Sequence, residues 1–211
     1  MDIILLRTSE NLTWEEISGY LGCIDKARRA AVNRKANETD KINALLSRLL
    51  VLSEIKSRTG LPERKIRFTL GTYGKPYLKD SSLFFSLSHT RGAICAAFSE
   101  GEEIGIDVER RDRRVSEAMY KRVLSEEERF RATSDIDFIR FWVQKEAFLK
   151  RLGIGISRDL RGVNSPELPD TSVIDCGELL VGASGKGAPD AGVTEITLDE
   201  LLDRFTKRLT V

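Results

Sequence analysis

The sequence predicts a mixed α/β (α+β) fold, and three observations carry that reading. Apolar residues recur at helical spacing from about Thr39 to Ser57 and again from about Ile136 to Leu152. Short apolar runs of strand length, Phe84 to Leu87, Ala93 to Phe98 and Ile104 to Glu109, are separated by polar and glycine-bearing turns. The composition, 41% hydrophobic and 32% charged, is that of an ordinary globular chain able to bury a core. At 211 residues the chain suits one large domain or two small ones. A net charge of +1 gives no global signal for nucleic acid or membrane, which leaves only local patches to consider. The three cysteines, Cys23, Cys95 and Cys176, form no metal or redox spacing, and their odd number argues against a disulfide framework. Reduced thiols in a cytoplasmic protein are the expectation. The opening Met1-Asp2-Ile3-Ile4-Leu5-Leu6-Arg7 is too short and too acidic for a signal peptide, and no apolar run is long enough to span a membrane.

In chain order, Ile3 to Leu6 reads as a first strand. Thr13-Trp14-Glu15-Glu16 is a capping box that opens a short helix, with Trp14, Ile17 and Leu21 on its buried face. A basic helical stretch follows, with Lys26, Arg28, Arg29, Arg34 and Lys35; it is either a solvated face or an anion-binding patch. The helix from about Thr39 to Ser57 buries Leu45, Leu46, Leu49, Leu52 and Ile55 and ends at Gly60 and Pro62. Lys65 to Thr69 looks like a strand running into Gly71-Thr72-Tyr73-Gly74-Lys75-Pro76-Tyr77. This loop is not a Walker A motif, because its glycines are too close and no Ser or Thr follows the lysine. It is a turn that delivers one ammonium group. After the three short strands, Ser116 to Arg131 reads as helical and includes Glu126, Glu127 and Glu128. The helix from Ile136 to Leu152 closes at Gly153 and Gly155. Strands are expected over Gly155 to Val163, Ser172 to Cys176, Leu179 to Gly182 and Val193 to Thr197, with a Gly/Ala/Pro loop over Gly185 to Gly192. Thr197 with Glu200 caps a last helix.

Two stretches carry chemistry. Phe85-Ser86-Leu87-Ser88-His89-Thr90 holds the only histidine, and Ile104-Gly105-Ile106-Asp107-Val108-Glu109 puts two carboxylates on one strand face. Two unpaired carboxylates about 4 Å apart repel by roughly 4 kcal/mol at an effective dielectric near 20. A fold keeps such a pair by binding a cation, by pairing it with Lys or Arg, or by leaving it in water. On the later helix, Phe138, Phe141, Phe148 and Leu152 form the expected buried stripe, and Lys145 falls in line with them. A lysine in that setting either snorkels or meets an anion. Trp142, Glu146 and Lys150 stack four residues apart on a neighbouring face.

Taken in this order and at these intervals, "FSLSHT", "IGIDVE" and "FWVQKEAFLK" resemble the 4′-phosphopantetheinyl transferases. The resemblance covers about Leu45 to Gly155 well and the ends loosely. By its length the chain is similar to the surfactin-synthetase-activator type, a monomer of two similar halves, and not to the trimeric holo-acyl-carrier-protein synthase of about half that length. The resemblance implies a pseudo-twofold α/β fold of an N-terminal half over 1–102 and a C-terminal half over 103–211. The site would lie in the cleft between halves, with a hinge near Glu100 to Glu103. The implied reaction moves the 4′-phosphopantetheine arm of coenzyme A to a serine of an apo acyl or peptidyl carrier protein. It releases adenosine 3′,5′-bisphosphate and requires Mg²⁺. Asp107, Glu109 and Glu146 would hold the metal. Glu146 is the candidate base, Glu128 a further acidic candidate, and Lys150 a catalytic cation meeting a coenzyme A phosphate. Lys75, Ser88 and His89 match positions that hold the pyrophosphate and the 3′-phosphate. The match frays at Asn43, where the family often has arginine; Lys41 or the patch Arg28, Arg29 and Arg34 would compensate. Nucleic acid and membrane are not expected partners.

Rival readings leave features unexplained. Another Mg²⁺-dependent phosphoryl or nucleotidyl enzyme would share the carboxylates but would not need the Ser-His pair together with the Trp-x-x-Lys-Glu-Ala helix. A non-catalytic carrier binder would be expected to lose a metal carboxylate, yet Asp107, Glu109 and Glu146 are all present. A serine hydrolase lacks its Gly-x-Ser-x-Gly elbow.

Overall fold

The computed structural model describes residues 1–155 and 160–206. Nine strands and seven helices follow one another among them: β1 (Asp2–Arg7), α1 (Trp14–Ser18), α2 (Lys26–Asn33), α3 (Glu38–Thr59), β2 (Phe68–Leu70), β3 (Pro76–Leu78), β4 (Leu83–Thr90), β5 (Ala93–Glu100), β6 (Gly105–Arg110), α4 (Glu117–Val123), α5 (Glu126–Arg131), α6 (Asp135–Leu152), β7 (Thr171–Cys176), β8 (Leu179–Ser184), β9 (Val193–Ile196) and α7 (Leu198–Thr206). The strands form a four-stranded sheet in the order β4-β5-β1-β9, the hairpin β2-β3, and a three-stranded sheet β6-β8-β7. The mixed α/β class predicted from the sequence is the class observed. No helix among the described residues is long and apolar enough to cross a membrane.

The chain divides into two compact units. One comprises Met1–Ile4, Phe68–Arg91 and Cys95–Thr194; the other comprises Leu5–Arg67, Gly92–Ile94 and the chain from Glu195 onward. The second unit is built on α3, whose Leu45, Leu46, Leu49, Leu50 and Ile55 are fully buried. Asn37 caps its N-terminus by accepting from the Asp40 N–H at 2.7 Å, and Gly60 closes it in the left-handed conformation at φ 68°. Asp25 caps α2 and is held by Arg48 of α3 at 2.9 Å, so the two helices are tied by one charge pair. Arg204 of α7 meets Glu54 of α3 at 2.6 Å.

The first unit is organised by β6, β8 and α6. In the antiparallel register Gly105 faces Ser184, Asp107 faces Gly182 and Glu109 faces Leu180, so these six residues share one sheet face. Helix α6 lies across that face at very short range. A Cβ on Gly105 would stand 1.8 Å from the Ala147 carbonyl oxygen, and one on Gly182 would stand 2.1 Å from that of Val143. Only glycine permits this approach at either position. Val123, Leu124, Phe138, Ile139, Val143, Leu149, Leu160 and Leu180 pack into the core beneath it.

Five elements differ from the sequence reading, each for a local reason. Of Trp14, Ile17 and Leu21 only Ile17 is fully buried, since α1 ends at Ser18 and Leu21 falls in the following 3-10 turn, Gly19–Cys23. Strand β2 starts at Phe68, because Lys65 donates to the Pro62 carbonyl at 2.8 Å and winds the preceding residues into a 3-10 turn. The helical stretch over 116–131 breaks at Leu124, since Ser125 starts a second helix with its own capping box. Of the strand expected over 155–163, residues 156–159 lie outside the described residues and Leu160–Gly162 is a 3-10 turn. On α6 the buried face is Phe138, Ile139, Val143, Lys145, Glu146, Ala147 and Leu149, while Leu152 is 49% exposed. The sheet lies under the Val143–Ala147 ridge, which turns the Phe148–Leu152 ridge outward. Alanine at Gly105 or Gly182 should therefore force α6 off the sheet and cost about 1–3 kcal/mol in denaturant unfolding. Alanine at the exposed Gly22, with nothing within 4 Å of its Cβ, is the neutral control.

Candidate active site

Strand β4 presents Ser86, Ser88 and Thr90 on one face, and each hydroxyl engages β6. The Ser86 hydroxyl accepts from the Ile106 N–H at 3.1 Å, Ser88 donates to Asp107 Oδ1 at 2.7 Å, and Thr90 donates to Glu109 Oε1 at 2.8 Å. His89, between them in the strand, faces the other way and is exposed. Asp107 Oδ1 also accepts from the Lys150 ammonium at 2.6 Å, reached from α6. Asp107 is thus a buried carboxylate, 6% exposed, held by one hydroxyl and one charge.

Glu146 sits one helical turn before Lys150 and is 3% exposed. Its Oε1 is buried and has no hydrogen-bond partner among the described residues. Burial, and then the charge of Asp107, push its carboxyl up to about 7, with Lys150 opposing. A native fold seldom buries an unpartnered charge-bearing oxygen without a use for it. Hard oxygen donors in a buried carboxylate pair suit Mg²⁺, so Asp107 and Glu146 fit that ion. Among the described residues no three His, Cys, Asp or Glu side chains are gathered closely enough to hold a metal. Glu109, the third carboxylate, is otherwise engaged: Oε1 accepts from Thr90 and from the Arg110 N–H at 3.0 Å, and Oε2 meets Arg113.

The other residues singled out by sequence are distributed differently. Glu128 is not brought to the carboxylate pair. It is fully buried, its Oε2 accepting from Lys145 at 2.5 Å and from the Ser125 N–H at 2.8 Å, its Oε1 from the Ser165 N–H at 2.8 Å. Burial alone would raise its carboxyl; the hydrogen bonds from Lys145, Ser165 and Ser125 outweigh that and hold it below the ordinary value. Lys145, fully buried, completes its coordination with the Val123 and Leu160 carbonyls at 2.8 and 2.9 Å. The lysine that had either to snorkel or to meet an anion has met one. Lys75 meets Glu103 and donates to the carbonyls of Ile104 and Arg151 at 3.1 and 3.0 Å, capping the end of α6. Burial lowers its pKa, against the pull of Glu103. Arg28 and Lys41 belong to the second unit, Arg28 exposed on α2 and Lys41 on α3 with its ammonium 6.0 Å from the Trp14 ring.

Known proteins carry the same sequence pattern. Residues 103–177 match the family described as 4′-phosphopantetheinyl transferase superfamily, and residues 11–101 match 4′-phosphopantetheinyl transferase, N-terminal. The 4′-phosphopantetheinyl transferase Sfp of Bacillus subtilis is 30% identical over 90% of this chain and 95% of its own length. The L-aminoadipate-semialdehyde dehydrogenase-phosphopantetheinyl transferase of Candida glabrata is 32% identical over 63% of this chain and 56% of its own length. HetI of Nostoc is 34% identical over 47% and 46%. The chain belongs to the 4′-phosphopantetheinyl transferase family.

In this transferase two residues that contact Glu109 escaped sequence reading, Thr90 and Arg113. The alternation Ser86-x-Ser88-x-Thr90 in a strand was signal enough for the first, since it puts three hydroxyls on one face. Arg113 lies in a run of arginines and nothing in the sequence separates it from its neighbours. The Lys145–Glu128 pair is a structural strut beside the site. Lys145→Met should cost about 3–5 kcal/mol in denaturant unfolding, because Glu128 is left charged and buried. Lys145→Met with Glu128→Leu should recover much of that loss.

Proposed function

We propose that this chain transfers the 4′-phosphopantetheine arm of coenzyme A to a serine hydroxyl of an apo acyl or peptidyl carrier protein, in a Mg²⁺-dependent reaction. It would work as a cytoplasmic monomer of two halves, 1–102 and 103–211. Support for the halves comes from the two family matches, which end at residue 101 and begin at residue 103. The observation that carries the mechanism is the buried, unpartnered Glu146 Oε1 beside Asp107.

Asp107 and Glu146 would hold the cation, with Glu109 as a third ligand once its present partners yield. When bound, Mg²⁺ supplies charge neutralisation at the pyrophosphate oxygens. The serine oxygen attacks the phosphorus that carries the pantetheine arm, the bond linking the two phosphates breaks, and adenosine 3′,5′-bisphosphate leaves. Little covalent work falls to the protein, so positioning and charge dominate. Glu146 would take the serine proton, since its Oε1 is not engaged by any partner among the described residues. Glu128, spent on Lys145 and two backbone N–H groups, is a poor competitor for that role. Lys150 would turn from Asp107 toward a coenzyme A phosphate, and Ser88 would keep Asp107 oriented. His89 would donate a hydrogen bond to phosphate without acting as a base. Lys75 would act through α6, which it caps, while Arg28 and Lys41 remain the candidates for the 3′-phosphate.

Incubating an apo carrier protein with this chain, coenzyme A and Mg²⁺ should add one phosphopantetheine to the carrier by mass spectrometry. No mass gain with any of several carriers would refute the reading. Asp107→Ala and Glu146→Ala should each abolish the transfer while leaving the circular dichroism spectrum unchanged; normal turnover in either removes the metal assignment. His89→Ala should mainly raise KM for coenzyme A, whereas an unchanged KM with lost kcat would make it a chemical group.

A further inference from the structure

Beside Asp107 on the strand face, Glu109 is engaged at both oxygens, one of them by a specific arginine. After β6 the chain turns, with the Arg113 N–H donating to the Arg110 carbonyl at 3.4 Å, and this brings Arg113 back over Glu109. Its neighbours go elsewhere: Arg110 pairs with Asp112 at 2.9 Å and Arg111 with Asp175 at 2.8 Å. Arg113 grips Glu109 Oε2 while its guanidinium carbon lies 5.4 Å from the centre of the Trp142 ring. Trp142 in turn is stacked on the buried Phe138 at 6.2 Å, so the seat of the guanidinium is part of the α6 core. A cation over an indole face is held electrostatically as well as by packing. The pair is partly covered, the side chains of Arg113 and Glu109 being 35% and 15% exposed.

Both Glu109 oxygens are therefore occupied, Oε1 by Thr90 and the Arg110 N–H, Oε2 by Arg113. Glu146 Oε1, by contrast, has no partner among the described residues. Glu109 Oε1 already accepts two hydrogen bonds, so a divalent cation drawn to Asp107 and Glu146 can recruit Glu109 only through Oε2, where it shares the oxygen with the Arg113 guanidinium and meets its positive charge. We propose that Arg113, seated on Trp142, is a positioning residue that holds Glu109 off the metal site, so that a divalent cation and the guanidinium compete for one carboxylate. The inference rests on the metal reading above and adds to it the residue that sets how tightly the chain binds metal before coenzyme A arrives.

The test is direct binding of Mn²⁺ to the chain without coenzyme A, followed by the electron paramagnetic resonance signal of the free ion. Arg113→Gln should tighten Mn²⁺ binding roughly three- to fivefold, the scale of a partly exposed ion pair. The gain should vanish when Glu109→Gln is added to Arg113→Gln. Unchanged or weaker binding in Arg113→Gln, with binding still lost in Asp107→Ala and Glu146→Ala, overturns the proposal and leaves the metal site standing. A gain that survives Glu109→Gln also overturns it, since that is only the removal of a nearby positive charge. If Asp107→Ala and Glu146→Ala leave Mn²⁺ binding intact, the metal reading itself fails and this inference with it.

Discussion

The close contact between α6 and the β6–β8 face is the constraint from which the site follows. Val143 and Ala147, one turn apart, set their carbonyl oxygens over Gly182 and Gly105. Asp107 lies two residues from Gly105 on β6 and opposite Gly182 on β8, between the two contacts. Glu146 and Lys150 are also one turn apart, on the ridge adjacent to Val143 and Ala147. The contact therefore fixes both the depth and the rotation of the helix. Lys150 then reaches Asp107 Oδ1 at 2.6 Å, and Glu146 feels the same carboxylate strongly enough to be raised by it. Side chains at the two glycine positions would hold the helix away from the sheet and weaken all of these interactions together.

Neighbouring residues on α6 illustrate two outcomes for buried charge. Lys145 and Glu128 are fully buried, and every oxygen of the carboxylate and three acceptors around the ammonium are accounted for. Such a pair is satisfied within the fold: it fixes α6 to the α4–α5 junction and to the turn at Leu160. Glu146, the next residue, has a buried oxygen without a partner among the described residues and a second negative charge beside it. That arrangement is costly in the isolated chain, and a cation would relieve it. Completeness of hydrogen bonding, and not the presence of charge, separates the strut from the site.

This difference also marks what could be read from the sequence. The strand period put Asp107 and Glu109 on one face, and the helical period put Trp142, Glu146 and Lys150 in register; both are local rules and both hold. Capping boxes at Thr13, Ser125 and Thr197 are likewise local, although the one at Ser125 divides what read as a single helix. Long-range packing was not legible. Nothing in Gly105 or Gly182 announces a helix carbonyl about 2 Å from where a Cβ would be. The aromatic residues of α6 suggested a buried stripe of Phe138, Phe141, Phe148 and Leu152; Phe138 is fully buried, and the glycine contact turns the Phe148–Leu152 end outward. Lys75 read as a free ammonium on a turn, but the acceptors that occupy it, Glu103, Ile104 and Arg151, come from distant parts of the sequence.

The β4 alternation limits how the Ser-His pair can act. Ser86, Ser88 and Thr90 are engaged by β6, so the opposite face of the strand carries Leu87 and His89. Ser88 and His89 therefore cannot both reach the same atom of a small ligand, which removes a serine-hydrolase geometry on structural grounds. A substrate with several phosphate groups does not need them to converge. Coenzyme A carries a pyrophosphate and a 3′-phosphate separated by a ribose, so groups on opposite sides of a strand end could address different phosphates. On this view Ser88 belongs with Asp107 and the reacting pyrophosphate, while His89 belongs with binding. Adjacent residues that look like one catalytic pair in the sequence would then serve binding and chemistry separately.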